Sequence, residues 1–372
     1  MSVQIIPVDG KSDLKRFIYL PEQLHRDHPR WMPPIYMDEW KYYNPRKNLA
    51  YRYCDTTMVL AAKDGRLVGR AMGIINRRHN EMLRERTARF AGLETTQDAE
   101  VVHALLAHVE DWARERGMNK VIGPFGFNDQ DPEGFLVEGF EHEPTIVTYY
   151  NFPWLVGLVE AEGYAKEVDY VVYRVPVPDR IPEVYERVAE RIAERGHLRV
   201  LEFSRKRQLK PFIRPILGLM NETFVGIYGY SPLDQEEMEA LARQYMPLLN
   251  PRFVKAVAKG DEVVGFMIAI PNLAEGIVKA GGHLLPFGFI HVLRAMKRSR
   301  QIDLLLGGIK SEYRNRGVDT LLGAAMIRTA IAGGYEAFDS HHELESNTRV
   351  RREMERQGGV IYKRFRIFHK AL

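Results

Sequence analysis

Cysteine is almost absent from the sequence, which has Cys54 alone among its 372 residues. This excludes a disulfide within the chain and a cysteine-rich zinc site, and no metal is expected. No run of about 18 apolar residues occurs, so no membrane span is expected. The first residues lack a basic segment followed by an apolar stretch, which argues against a secretory signal. Together these absences favour the cytoplasm.

An excess of charge of one sign is also missing. The chain has 53 lysines and arginines against 49 aspartates and glutamates, a formal net charge of +4. This balance is compatible with small anionic ligands and too weak to indicate nucleic acid, so no nucleic-acid partner is expected. Hydrophobic residues make up 45% and charged residues 27%, as in globular proteins. A chain of this length is too long for one compact core, so two domains are expected.

An internal repeat is present. The segments 58–69 and 253–265 both alternate as strand, tight turn and strand, and their final glycines, Gly69 and Gly265, stand 196 residues apart. Asn151 and Asn347 have the same separation of 196, and each precedes a helical stretch followed by an aromatic and β-branched strand. Two copies of one domain are therefore expected, over 1–178 and 179–372.

The order of elements predicts the fold class. Each half is predicted as a strand, one or two helices, a hairpin, and then strand, helix, strand, helix and a closing strand. Strands that alternate with helices indicate an α/β fold, here an α+β mixed sheet with helices on both faces.

The sharpest local signal lies between Ile309 and Asp319. A predicted strand ends, a short loop carries Arg314, Arg316 and Gly317, and an apolar helix follows. The unpaired N–H groups and positive dipole end of a helix start, beside two arginines, suit a pyrophosphate. A glycine lets the backbone come close to such a ligand.

This segment resembles the pyrophosphate loop of the GNAT N-acetyltransferase superfamily. Arg314 and Gly317 match its fixed places, and Asn347 and Gly358 match a later motif of the same superfamily. The resemblance implies two tandem acyl-CoA N-acyltransferase domains, with acetyl-CoA or another acyl-CoA as cofactor. It also implies a bulge at Gly307-Gly308 that opens the cleft. The cofactor-binding residues are then expected to be Leu306, Gly307, Gly308, Ile309, Arg314, Asn315, Arg316, Gly317, Val318, Asp319 and Asn347.

The sequence departs from this pattern at two places. Asp319 stands where a small residue is usual, and its carboxylate suits a helix N-cap but repels phosphate. Met354 occupies the place of a tyrosine that often protonates the departing thiolate, and a thioether cannot donate that proton. The first-half counterpart of the loop, residues 92–98, has no basic residue, so the first half is expected to lack the pyrophosphate site.

Candidate catalytic residues and candidate acceptor-binding residues lie in two other segments. His341, His342 and Glu343 stand just beyond the strand predicted at 335–340, where α/β folds place chemistry; the alternative is a solvent-exposed loop. The acidic and aromatic loop 123–144 suits a cationic amine, and the alternative is a solvated loop over the domain interface. Its candidate substrate-binding residues are Asn128, Asp129, Asp131, Glu138, Glu141 and His142.

The functional hypothesis is an acyl-CoA-dependent N-acyltransferase that transfers an acetyl or longer acyl group to an amine of a small molecule or lipid precursor. The alternative is a catalytically inactive GNAT-fold protein that binds a ligand or regulates, and a third interpretation is a tRNA-dependent transferase. The segment 281–300, apolar and then basic, suggests an acyl-chain groove or a peripheral contact with anionic lipid. The alternative interpretation is a buried helix with a solvated basic end.

Overall fold

Two similar runs of strands and helices follow one another in the computed structural model, which describes residues 2–181 and 183–372. The strands of the first run are β1 (Gln4–Pro7), β2 (Cys54–Lys63), β3 (Arg66–Asn76), β4 (Thr87–Thr95), β5 (Lys120–Gly123), β6 (Phe135–Glu138) and β7 (Ala165–Pro176). Its helices are α1 (Gly10–Leu24), α2 (Tyr36–Tyr42), α3 (Arg77–Leu83), α4 (Ala99–Glu115) and α5 (Pro153–Ala161).

The second run repeats this order with additions. Its strands are β8 (Leu198–Glu202), β9 (Val254–Lys259), β10 (Glu262–Pro271), β11 (Gln301–Ile309), β12 (Ala337–Asp339), β13 (Glu343–Leu344) and β14 (Val360–Ala371). Its helices are α6 (Glu183–Gly196), α7 (Lys206–Leu209), α8 (Ile213–Thr223), α9 (Gln235–Tyr245), α10 (Ala274–Lys279), α11 (Gly288–Arg298), α12 (Val318–Gly333) and α13 (Thr348–Arg356). The predicted mixed α/β architecture is confirmed.

The repeated hairpins form as their turns predict. The β2–β3 connection is two residues, Asp64 and Gly65, with φ of 53° and 75°. Both angles are positive, as the type I′ turn of a two-residue hairpin requires. In the second hairpin Gly260 has a φ of 59°. The polar, glycine-containing turns therefore fix the register of the paired strands.

The strands form one continuous sheet in the order β1-β2-β3-β4-β5-β14-β7-β12-β11-β10-β9-β8, with β6 on β14 and β13 on β7. The closing strands are exchanged between the halves. The last strand, β14, pairs with β5 and β6 of the first half, whereas β7 pairs with β12 and β13 of the second half. The two exchanged strands also pair with each other from Val360↔Arg174 to His369↔Ala165. The boundary after residue 178 stays a prediction, and the strand pairing shows that the sheets of the two halves interlock.

One helix of each half packs on the sheet through an apolar face. In the second half, Val318, Leu321 and Leu322 of α12 are buried against Val257 and Val264 of the β9–β10 hairpin. Burying such a side chain contributes roughly 1.5–3 kcal/mol, and the spacing of three and four residues keeps these side chains on one face. This packing anchors the first turn of α12, which borders the cleft described below. Within the described ranges no helix is both long and apolar enough to cross a bilayer.

Candidate functional site

The main cleft of the molecule has a volume of about 1330 Å³ and lies in the second half. The parallel strands β11 and β12 pair at three positions only, from Gln301↔Ala337 to Asp303↔Asp339. Beyond Asp303 the strands separate, and residues 304–309 of β11 form one wall of the cleft. Residues from α8, α9, α12, α13, the loop 340–347 and the first-half loop 129–133 complete the lining.

The bulge on β11 lies at Leu305, not at the predicted glycine pair. The β10–β11 register shifts between Ile268↔Leu306 and Ala269↔Leu304, so Leu305 is the extra residue. Gly307 and Gly308 pair regularly with Met267 and Phe266. A Cβ on Gly308 would lie 2.5 Å from Thr223 Oγ1. Gly308 therefore permits the close approach of α8, and with Leu306, Gly307 and Ile309 it lines the cleft.

The loop before α12 reaches the cleft through four of its six predicted residues: Arg314, Asn315, Gly317 and Asp319. The side chain of Arg316 lies beside the Tyr313 ring, with its guanidinium 5.8 Å from the ring centroid. Val318 is fully buried in the α12 packing.

Gly317 occupies the position before the helix, with a φ of 82°. A Cβ on it would lie 2.5 Å from Ile192 Cδ1, so both the backbone angle and the space favour glycine. The backbone N–H groups of the first turn of α12 begin at the cleft wall, where an anion would meet them.

Asp319 lies in the first turn of α12 and does not cap it, contrary to the prediction, because the N-cap residue is Gly317. One carboxylate oxygen accepts a hydrogen bond from the backbone N–H of Thr320 at 3.0 Å. The other is 3.2 Å from Nη2 of Arg349, on α13. This ion pair balances the charge of the carboxylate that the sequence places near a phosphate site.

The helix α13 adds positive charge that the sequence interpretation missed. Arg349, Arg352 and Arg356 all line the cleft. Their spacing of three and four residues places them on one helix face, which is the signal that would have identified them. Asn347 caps this helix, since its side-chain oxygen accepts a hydrogen bond from the backbone N–H of Val350 at 3.4 Å. The capping interpretation of Asn347 is thus confirmed, and the residue also lines the cleft.

Another part of the cleft gathers acidic side chains from the first half. Asp129, Asp131 and Glu133 line it, and Glu133 was not among the predicted site residues. Burial raises the pKa of Asp129 to about 7 and that of Asp131 to about 6, and it raises the pKa of Glu133 well above the ordinary range. Oδ2 of Asp131 accepts hydrogen bonds from the backbone N–H of Phe127 at 2.7 Å and the hydroxyl of Tyr42 at 3.2 Å.

By contrast, Oδ1 of Asp129 is buried and has no hydrogen-bond partner within the described part of the chain. An acidic group in that state is suited to a cationic ligand.

One of the two predicted histidines, His342, faces this acidic group. His342 lies between Tyr170, on which its ring stacks, and Phe365. Its Nδ1 is 3.9 Å from Oε1 of Glu133, and its Nε2 is buried with no hydrogen-bond partner among residues 2–181 and 183–372. Burial lowers the pKa of His342 well below the ordinary range, so its ring is uncharged near neutral pH.

His341 has a different environment. It has a φ of 56° and its backbone N–H donates to Oδ1 of Asp339 at 2.6 Å. Its Nε2 is 3.0 Å from the carbonyl oxygen of Ile146, which fixes this nitrogen as the donor. Burial lowers the pKa of His341 and raises that of Glu343, two residues further along the chain, to about 8. All three predicted catalytic residues therefore line the cleft, and none is a solvated loop residue.

The remaining predicted acceptor residues lie elsewhere. The side chain of Asn128 accepts from the backbone N–H of Ser231 at 2.8 Å and donates to its carbonyl at 3.0 Å, joining the two halves. Glu138 pairs with Arg364 at 3.3 Å. Glu141 is exposed beside His142, whose ring packs on Tyr362. These four residues are outside the cleft lining.

At the corresponding helix start of the first half, the charged side chains are already paired with one another. Asp98 and Glu100, at the beginning of α4, are bound by Nζ of Lys63 at 2.6 and 2.8 Å. On β4 the backbone N–H of Gly92 donates to the hydroxyl of Tyr149 at 3.3 Å. The expected loss of the pyrophosphate site from the first half remains a prediction, and these paired carboxylates are compatible with it.

Comparisons with known proteins cover the full length of the chain. No family model matches it. It is 29% identical over 380 residues to "Bacterial ceramide synthase" of Caulobacter vibrioides, covering 100% of this chain and 98% of that protein. It is 26% identical over 371 residues to "Protein YghO" of Escherichia coli, covering 98% and 94%. A tandem GNAT protein from the clavulanic acid biosynthesis pathway has a similar structure, with a TM-score of 0.56 at 13% identity, covering 100% of this chain and 98% of that one.

Proposed function

Because the chain carries two copies of the GNAT fold, we propose that it is an acyl-CoA-dependent N-acyltransferase that acts on the amine of a lipid precursor. The observation that carries this proposal is a single cleft with three kinds of wall. One wall is a helix start with arginines, one is apolar, and one is a buried group of carboxyl and imidazole side chains.

The helix starts and arginines fit the phosphates of an acyl-CoA. The first-turn N–H groups of α12, Arg314 and the α13 arginines Arg349 and Arg352 would hold them. Gly317 leaves room for the approach, and Asp319 is already paired with Arg349. When bound, the coenzyme supplies a thioester carbonyl that is activated toward attack by an amine.

The apolar wall supports a long acyl chain or a long-chain acceptor. Eight of the side chains that form it come from α8, α9 and the segments beside them: Leu209, Ile213, Ile216, Leu217, Phe224, Leu241, Met246 and Leu249. Typical sites for drug-sized ligands have volumes of about 300–1,000 Å³, and this cleft exceeds them. A relative named ceramide synthase supports the same substrate class, since a ceramide is the amide of a fatty acid with a long-chain amino alcohol.

The buried polar wall has groups that can accept and donate the protons that move during the transfer. The amine loses a proton as the C–N bond forms, and the thiol gains one as the C–S bond breaks. Asp129 and Asp131 would attract the cationic amine, and the uncharged His342 would accept its proton at Nε2, with the carboxyl of Glu133 beside Nδ1. Glu343, with a pKa of about 8, is protonated at neutral pH and is the group that can donate to the thiol.

The test is release of free thiol from a long-chain acyl-CoA in the presence of a long-chain amino alcohol, with the amide product identified by mass spectrometry. His342→Gln and Glu133→Gln are expected to lower turnover by about 100-fold or more while the Kd for the acyl-CoA is unchanged. His103→Gln, at an exposed position on α4, is the control and should behave as the unaltered protein.

Binding of the acyl-CoA without thiol release for any amine would contradict turnover. It would favour the second candidate, a ligand-binding protein without catalysis, for which the thioether of Met354 on the cleft wall is the supporting observation.

A further inference from the structure

The second half contains an inserted segment that its first-half counterpart does not have. Between β3 and β4 the chain has residues 77–86, whereas between β10 and β11 it has residues 272–300, which form α10 and α11. The repeated fold does not need this segment, because the first half forms its sheet without it.

The outer surface of the insertion is strongly apolar. Leu285 and Phe287 are 69% and 71% exposed, and on α11 Phe289 and Leu293 are 43% and 52% exposed. The last two stand four residues apart and lie on one helix face. Another face of the helix carries Val292 and Ala295, which are buried against α10, so the helix cannot rotate to hide the exposed side chains. Large exposed apolar side chains in this density indicate an interaction surface.

Positive charge accompanies these side chains. Residues 274–300 contain five lysines and arginines and one glutamate, an excess of four that equals the net formal charge of the whole chain. Lys297 continues the line of Phe289 and Leu293, while Arg294 and Arg298 follow along the helix toward α10. The lone acid, Glu275, is paired with Lys279.

From this arrangement we propose that the α11 surface, defined as residues 285–298, docks on an anionic lipid bilayer. Apolar side chains beside lysines and arginines on one helix are the pattern of a helix that lies in the membrane interface. Leu285, Phe287, Phe289 and Leu293 would enter the headgroup boundary, and the basic side chains would contact lipid phosphates.

The position of the surface connects it to the cleft. Val292 and Met296 on the inner side of α11 pack in one apolar cluster with Val147 and Leu305, and these two residues line the cleft. Docking would therefore bring the bilayer to an apolar side of the site, so that a lipid substrate need not cross water. This consequence depends on the proposed function, but lipid binding itself does not.

The experiment is flotation of the full-length protein with vesicles, without acyl-CoA or amine. Vesicles of phosphatidylcholine mixed with phosphatidylglycerol should carry the protein, and vesicles of phosphatidylcholine alone should carry much less. Phe287→Ser with Phe289→Ser should weaken binding about tenfold or more. Lys297→Gln with Arg298→Gln should weaken it about fivefold per charge. Val360→Ser, at a similarly exposed site on β14, is the control.

Circular dichroism and thermal melting establish that each variant is folded. Binding that is equal on both vesicle types, absent on both, or unaltered in the phenylalanine variant would overturn the proposal. A protein that forms stable dimers broken by the phenylalanine substitutions, and that does not float, would assign the surface to contact between copies instead. Because the flotation experiment contains no substrate, a failure to bind vesicles would overturn the docking proposal without deciding the outcome of the thiol-release test.

Discussion

Replacing Asp319 with asparagine removes a negative charge from the start of α12 and leaves the local geometry intact. Asparagine keeps an oxygen that can accept from the Thr320 N–H, as the carboxylate does at 3.0 Å. The substitution also releases Arg349, whose Nη2 is 3.2 Å from the Asp319 carboxylate. If phosphates of an acyl-CoA lie at this helix start, Asp319→Asn should therefore tighten binding, which is the reverse of the usual effect of removing a charged residue from a site.

The size of the gain follows from the exposure of the pair. The side chains of Asp319 and Arg349 are 47% and 50% exposed, so water screens their charges. Two unit charges about 4 Å apart interact by ~1 kcal/mol at the dielectric constant of water. A phosphate bound at the start of α12 would repel the carboxylate of Asp319, the second residue of that helix, over a comparable distance. We expect Kd for the acyl-CoA to fall about fivefold.

Isothermal titration of acetyl-CoA and a long-chain acyl-CoA at low and high salt measures this change. The gain should shrink at about 1 M salt, where the Debye length is ~3 Å. Arg349→Gln should weaken binding, and the double variant should fall between the single ones because the two side chains interact. Asp64→Asn, in the exposed β2–β3 turn, is the matched charge control. An unchanged or larger Kd for Asp319→Asn would refute a phosphate site at this helix.

Four further predictions concern the pH dependence of the rate, stability, chain length and assembly. The thiol-release rate should decline as pH rises through about 8, where Glu343 loses its proton, and Glu343→Gln should abolish that decline in the pH–rate profile. Because burial raises the pKa of Asp129 to about 7, ionising this carboxyl costs folding stability, and the cost grows as the pH rises from the ordinary pKa of an aspartate up to about 7. Asp129→Asn should therefore raise Tm at pH 8 and have little effect near pH 4 in thermal melts. The expected gain is about 1.4 kcal/mol per pKa unit removed.

Acyl-CoA affinity should rise up to about fourfold per added methylene until the apolar wall is covered, since each buried methylene contributes ~0.8 kcal/mol; titrations across a chain-length series that show no dependence would exclude the acyl chain from that wall. Residues 1–178 and residues 179–372, expressed as separate chains, should copurify because β7 and β14 pair with strands of the other half. Two halves that stay monomeric when mixed would contradict this.

Local sequence patterns located most of the elements but not their pairing. The hairpin turns at Asp64-Gly65 and Gly260-Asp261 carry their own backbone preferences, so both hairpins were predictable. The α13 helix matched its prediction because Asn347 caps it. The short strand β6 was missed inside a segment interpreted as a loop, since its four residues gain order only by pairing with β14, more than 200 residues away. Pairing over such a separation leaves no periodicity in either segment.

The candidate site was predictable only in part, because some of its residues are brought together by contacts between distant segments. Arg314, Gly317 and the histidines stand at ends of predicted elements, where position along the chain indicates position in the cleft. Glu133 belongs to the cleft only because the first-half loop reaches across to His342, and no pattern within residues 123–144 separates it from Glu138, which pairs at the surface with Arg364. The spacing of Arg349, Arg352 and Arg356 places them on one helix face, but only the packing of α13 in the fold turns that face to the cleft.

The exchange of β7 and β14 explains how the first half contributes side chains to the cleft that borders α12. Because β7 pairs with β12 and β13 along one edge and with β14 along the other, Tyr170 is held against the ring of His342. The first half also sends the loop 129–133 into the same cleft, where Glu133 is 3.9 Å from His342. The second half thus supplies the helix starts and arginines, and the first half supplies the acidic wall and one side of the histidine. A chain in which either half closed on its own last strand would separate these groups, so the interlocked sheet is what keeps the two kinds of chemistry in one cleft.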